Sequence, residues 1–153
     1  MSTSIDPVAA VCLRTEKAAL RLIARAEQNS SGLRYKLEKR GHEVSCINTV
    51  IEKLTSLNLV DDSRYAKFWL QSRLHLARSP RRLLAGLCGR GIPRGEAEAA
   101  IKNVLNDETE LSLLERFAKK YSRKIKNKRE LKIFLKGEGF SAQIIEQFFE
   151  FTT

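Results

Sequence analysis

Acidic residues are missing from one long stretch of this chain. After Asp62 none occurs until Glu96, and the gap holds eight basic residues: Arg64, Lys67, Arg73, Arg78, Arg81, Arg82, Arg90 and Arg94. Other absences narrow the function classes. No run of eighteen apolar residues is present, so no helical membrane span and no membrane partner are expected. The opening MSTSIDPVAAVCL lacks the basic start and long apolar stretch of a secretory leader, which points to the cytoplasm. The three cysteines, Cys12, Cys46 and Cys88, are far apart and form no CxxC pair. They are read as reduced, with Cys46 and Cys88 filling the core. The two histidines, His42 and His75, have no nearby cysteine or paired carboxylate and are read as surface or cap residues; no metal site is expected. The chain has no GxxxxGK phosphate loop, no HExxH and no GxSxG, so no catalytic residue, no enzyme activity and no cofactor are expected.

What the chain does have is a repeat. SGLRYKLEKRGH (31–42), PRRLLAGLCGRGI (80–92) and KRELKIFLKGEGF (128–140) align on Gly41, Gly91 and Gly139. The alignment superimposes Leu33, Leu83 and Leu131 eight residues before each glycine, and Leu37, Leu87 and Leu135 four before it. A glycine four residues past a leucine, followed by an apolar residue, is the pattern of a helix that ends in a left-handed turn. Ile92 and Phe140 are then placed to fold back on Leu87 and Leu135, and His42 is the imperfect copy. Each short helix also has a start signal: Ser79 before Pro80, Asn127 with Glu130 for reciprocal capping, and Ser30 or Ser31.

A further helix is expected after each glycine, from the spacing of Ile47, Val50, Ile51 and Leu54, of Ala97, Ala100, Ile101 and Val104, and of Ile145, Phe148 and Phe149. A longer helix precedes each capped one, over about 14–28, 62–77 and 108–124. No segment alternates with period two, so the expected fold is all-α. Three tandem three-helix units, about 14–58, 59–106 and 107–153, are expected to stack as a single domain over 1–153 in an elongated, curved body. Gly86 and Gly89 fall inside the second capped helix, at about 1 kcal/mol of helix preference each, which predicts a short or bent helix there.

On a wheel, the helix from Asp62 places Tyr65, Phe68, Trp69, Ser72 and Leu76 on one face and Arg64, Lys67, Gln71, His75 and Arg78 on the other. The aromatics are expected in the core, with Asp61 and Asp62 serving the positive helix start. A second basic stretch, Arg116 to Lys132, holds nine lysines and arginines against Glu130 alone. Together the two stretches carry seventeen basic residues and one acid, while the segment between them, Glu96 to Glu115, has six acids and only Lys102. Charge spread for solubility would mix the signs. Clustered lysine and arginine instead suit a phosphate-lined partner, through release of its counterions. With no base-reading motif, such binding is expected to ignore sequence. The candidate surface is Arg34, Lys36, Arg64, Lys67, Arg73, Arg78, Arg81, Arg82, Arg90, Arg94, Lys119, Lys120, Arg123, Lys124, Lys126, Lys128, Arg129 and Lys132.

ALRLIARAEQNSSGLRYKLEKRG (19–41), LVDDSRYAKFWLQSRL (59–74) and SPRRLLAGLCGRGI (79–92) resemble the RecX family of recombination regulators. The resemblance rests on Asp61, Asp62, Arg64, Tyr65, Ser72, Arg73, Pro80, Arg81, Arg82, Gly91 and Ile92, and is strongest over about 15–105. It implies a non-catalytic monomer with two partners: the RecA protein filament and its single-stranded DNA, with double-stranded DNA as a further one. The protein would lie in the filament's helical groove and inhibit RecA ATPase and strand exchange, modulating recombination, DNA repair and the SOS response. The alternative is a sequence-independent or helix-turn-helix-like DNA-binding regulator acting without RecA.

Overall fold

The computed structural model describes residues 7–152, with side chains from residue 11 onward. Among these residues the chain is helical throughout and has no strand, which bears out the all-α expectation. The helices are α1 (Pro7–Arg25), α2 (Ser30–Lys39), α3 (Val44–Ser56), α4 (Asp62–Arg73), α5 (Pro80–Gly89), α6 (Arg94–Val104), α7 (Asp107–Tyr121), α8 (Lys128–Gly137) and α9 (Ala142–Phe151). A 3-10 turn, Leu74–Leu76, extends α4 and ends at Ala77 with φ 50°. The chain groups into two compact units that divide after Tyr65, within α4.

The repeated leucine–glycine pattern appears three times as one hydrogen-bonded device. Gly41, Gly91 and Gly139 adopt φ of 85°, 87° and 95°. Their N–H groups donate to the carbonyls of Glu38, Cys88 and Lys136 at 3.0, 3.0 and 3.1 Å. The next residues, His42, Ile92 and Phe140, donate back to Leu37, Leu87 and Leu135 at 3.2, 3.1 and 3.2 Å. This pair of bonds satisfies carbonyls that a helix end otherwise leaves open. It also drives the following side chain onto the leucine: Ile92 and Phe140 are buried, while His42 is half-exposed. Leu33, Leu37, Leu83, Leu87 and Leu135 are fully buried, and Leu131 is half-buried. A fully buried leucine contributes about 1.5–3 kcal/mol, against about 1 kcal/mol for a helix cap, so burial dominates and the turns direct it.

In the first unit α1 packs on α2 and α3, and α2 on α3, around Ala19, Leu22, Ile47, Val50, Leu54 and the two repeat leucines. In the second, α5 packs on α6, and α7 and α8 on α9. The Phe117 ring lies 4.8, 5.9 and 5.4 Å from those of Tyr121, Phe134 and Phe140, forming an aromatic centre there. Within this unit the end of α8 docks on the start of α5. Arg81 N–H donates to the Glu138 carbonyl at 2.9 Å, and a side chain on Gly139 would meet Arg81 N at 3.1 Å.

Five expectations need correction. Cys12 and Cys46 are joined as a disulfide across 34 residues, linking α1 to α3 with Cα atoms 5.0 Å apart; tertiary packing, invisible in their spacing, brings them together. Cys88 is exposed on α5 rather than in the core, because Leu83 and Leu87 already define the inward face. The buried face of α4 is Ala66, Trp69 and Leu70, rotated from the wheel drawn on the aromatics. Phe68 is therefore 57% exposed, Leu76 and Ser72 are exposed, and Tyr65 is half-buried. The cap of α2 is Asn29, whose Oδ1 accepts from Gly32 N–H at 2.6 Å, and Ser30 is the first helical residue. Finally, the two glycines do not make α5 shorter than its counterparts, since it matches α2 and α8 at 10 residues.

A close approach requires glycine at position 86. A Cβ there would lie 2.9 Å from Cζ2 of buried Trp69 and closer still to Cη2, whereas a Cβ on Gly89 meets nothing within 4 Å. Helix preference alone favours alanine at both by up to about 1 kcal/mol. Overpacking a well-filled site costs about 1–3 kcal/mol. Gly86→Ala is thus expected to lower the urea midpoint and Gly89→Ala to hold or raise it; a stabilised Gly86→Ala protein would refute the close Trp69 approach.

Candidate functional site

Four acids of this chain, Asp61, Asp62, Glu110 and Glu138, are engaged at helix starts. Asp61 Oδ1 accepts from Arg64 N–H at 3.1 Å, at the start of α4. Asp62, expected to serve that same helix, turns its carboxylate to α2 instead, taking the Ser30 N–H at 2.7 Å and the Ser30 hydroxyl at 2.6 Å. Glu138 does the same for α5, accepting the Ser79 hydroxyl at 2.7 Å while Ser79 itself caps Arg82 N–H. Glu110 accepts Ser141 N–H at 2.7 Å at the start of α9. Asp61, Asp62 and Glu110 meet backbone N–H donors, and Glu138 a capping hydroxyl, at the positive ends of helices, where an anion is favoured.

The structure divides the eighteen expected cations into two groups. Ten are engaged by the fold. Arg64 pairs with Glu27 at 2.6 Å and donates to the carbonyls of Asn58 and Leu59 at 2.9 and 3.4 Å. Arg94 pairs with Glu98 at 3.0 Å, Lys132 with Glu146 at 3.0 Å, and Arg81 approaches Glu138 at 3.9 Å. Arg34 donates to Asn48, and Lys36 to Gln28 at 2.8 Å. Arg73 and Arg90 lie over the Trp69 ring at 5.3 and 5.5 Å. Lys128 and Lys132 both lie over Phe149, at 5.4 and 5.2 Å. Lys120 donates to the Leu76 carbonyl at 2.9 Å.

The other eight, Lys67, Arg78, Arg82, Lys119, Arg123, Lys124, Lys126 and Arg129, are exposed. Among the described residues none of these side chains has an acidic partner. Five of them cluster in sequence about the loop from Ser122 to Asn127, with Lys119 in the last turn of α7 and Arg129 in the first turn of α8. The Lys120–Leu76 bond joins the end of α7 to the segment that carries Arg78, so the two basic stretches meet within the second unit. Local physics does not call for this arrangement. Lys128 and Arg129 stand at the positive end of α8, as Arg81 and Arg82 do at α5, where cations are disfavoured.

No family model matches the chain. A regulatory protein RecX from Treponema pallidum is 31% identical over 137 residues, covering 89% of this chain and 84% of that protein. The chain belongs to the RecX family. A second RecX relative, from Halorhodospira halophila, is 37% identical over 90 residues, 59% of this chain and 53% of its own length. The crystal structure of RecX from Lactobacillus salivarius superimposes with a TM-score of 0.72 at 24% identity, covering 93% of this chain and 96% of that one. A further RecX crystal structure gives a TM-score of 0.77 at 18% identity, over 97% and 80%. These two likenesses bear on the fold, and both are RecX folds. Asp61, Asp62, Arg64 and Pro80, on which the sequence resemblance rested, are helix-start residues and a loop latch in this RecX chain.

Hydrogen bonds to a charged group contribute about 1.5–3 kcal/mol, and an exposed i,i+4 ion pair about 0.3–0.5 kcal/mol. Asp62→Ala is therefore expected to destabilise the protein by about 1.5–3 kcal/mol and Arg94→Ala by under about 0.5 kcal/mol in equilibrium urea unfolding. Equal losses would remove the distinction between helix-start carboxylates and surface pairs.

Proposed function

We propose that this RecX protein binds the RecA filament on single-stranded DNA, occupies its helical groove, and inhibits ATP hydrolysis and strand exchange without a catalytic step of its own. The observation that carries the reading is the 31% identity to a regulatory protein RecX across 89% of the chain. Its eight exposed cations support it, since they suit an anionic nucleoprotein surface and serve no ion pair among the described residues. Arg123, Lys124 and Lys126 form the leading contact, on a loop between two helices; Arg64 and Arg94 are structural. In this reading the protein acts as a cytoplasmic monomer and modulates recombination and repair.

Substoichiometric protein is expected to lower the ATPase rate of RecA on single-stranded DNA, measured by phosphate release. An unchanged rate at excess protein rejects the reading, and with retained oligonucleotide binding it favours a DNA-binding regulator that acts without RecA. Arg123→Gln, Lys124→Gln and Lys126→Gln together are expected to reduce the salt dependence of filament binding by about one phosphate's worth for each cation neutralised. A slope unaltered by the triple variant would make the loop a solvated surface only.

A further inference from the structure

The first unit carries a cationic cleft that contains none of the candidate filament-facing residues. Its volume is about 520 Å³, and Arg14, Lys17, Arg21, Arg40 and His42 line it. Arg14, Lys17 and Arg21 recur on successive turns of α1, a stripe roughly 10 Å long at about 1.5 Å per residue. Arg40 and His42 flank Gly41, in the left-handed turn that ends α2. Among the described residues no carboxylate lines the cleft, and the ion pairs involve none of these four arginine and lysine side chains. Glu16, their neighbour on α1, is taken by Lys53 at 2.7 Å.

His42 marks the edge of the cleft. It occupies the position held by Ile92 and Phe140 in the other two repeats, where the side chain folds into the core. Here the backbone bond to Leu37 is kept, but the side chain is an imidazole whose Nδ1 lies 2.8 Å from Oγ1 of buried Thr15. The ring is thus fixed on α1. The one polar copy of the motif coincides with the turn that borders this cavity.

Four like charges converging without an acid repel one another, and an anion between them removes that repulsion. Guanidinium forks match phosphate oxygens two at a time, and the volume falls within the range of small-molecule sites. Leu13 and Ala18 add an apolar wall that a ligand of charge alone leaves unused. We propose that this cleft is a site for linked phosphate groups of the size and charge of a nucleoside triphosphate. The proposal does not depend on filament binding.

The test is calorimetric titration at fixed ionic strength with adenosine triphosphate, inorganic tripolyphosphate and sulfate. One saturable site is expected for both triphosphates. Affinity is expected to fall about tenfold per arginine, hence about a hundredfold in Arg14→Glu/Arg21→Glu, and to stay unchanged in Arg123→Glu/Lys124→Glu. Should the glutamate pair fail to fold by circular dichroism, Arg14→Gln/Arg21→Gln supplies the same comparison. Tighter binding of adenosine triphosphate than of tripolyphosphate assigns a nucleoside to the Leu13 and Ala18 wall; equal binding assigns the phosphates alone. No saturable binding, equal loss in the loop variant, sulfate as effective as triphosphate, or a single-stranded oligonucleotide bound there in preference to both would each overturn the proposal.

Discussion

The left-handed turn behind each short helix is the constraint on which the molecule is organised. A helix of ten residues cannot bury much on its own, and it is marginal in water without tertiary partners. By recapturing the carbonyls of Leu37, Leu87 and Leu135, each turn fixes the direction in which the next helix leaves and aims the following residue at the same leucine. The inward faces of α3, α6 and α9 are set by that exit. Where the copy is apolar the turn closes over the core, and where it is His42 the turn opens toward solvent and α1.

Closing helix starts with carboxylates from elsewhere in the chain has an electrostatic corollary. Asp62 and Glu138 are committed to α2 and α5, and Glu110 to α9, so each satisfies donors that a nearby serine or asparagine alone leaves incomplete. Asp62 and Glu110 are then paired with none of the lysines and arginines of those stretches in the described residues. The segregation of charge along the chain thus has one local component: some acids sit where helix-start donors converge, while eight of the expected bases are left exposed without an acidic partner among the described residues.

Much of this was legible because the signals were local. The three glycines, the Ser79–Pro80 start and the burial of Ile47, Val50, Ile51 and Leu54 follow from spacings of a few residues. Contacts between distant segments were not. Ser30 looked like a cap and instead donates to Asp62, because capping patterns relate residues about three apart and this carboxylate lies 32 away. Phe68 was assigned inward on aromatic character, yet Ala66 and Leu70 occupy the facing side and the larger ring is displaced outward. More than half of the expected cation set makes contacts within the fold, and some of these come from other elements: Glu27, Glu146 and the Leu76 carbonyl reach Arg64, Lys132 and Lys120. The cleft beside His42 escaped notice because Glu16 interrupts Arg14, Lys17 and Arg21 in sequence and only α1 geometry gathers them.

Trp69 is the chain's one tryptophan, seated against Gly86 with the guanidinium groups of Arg73 and Arg90 above its ring and its indole nitrogen buried with no hydrogen-bond partner among the described residues. Intrinsic fluorescence from this protein consequently has a single indole source, quenched or shifted by whatever disturbs those two arginines. The second unit thus contains its own optical probe, and no label need be attached to follow its basic surface as it engages another molecule.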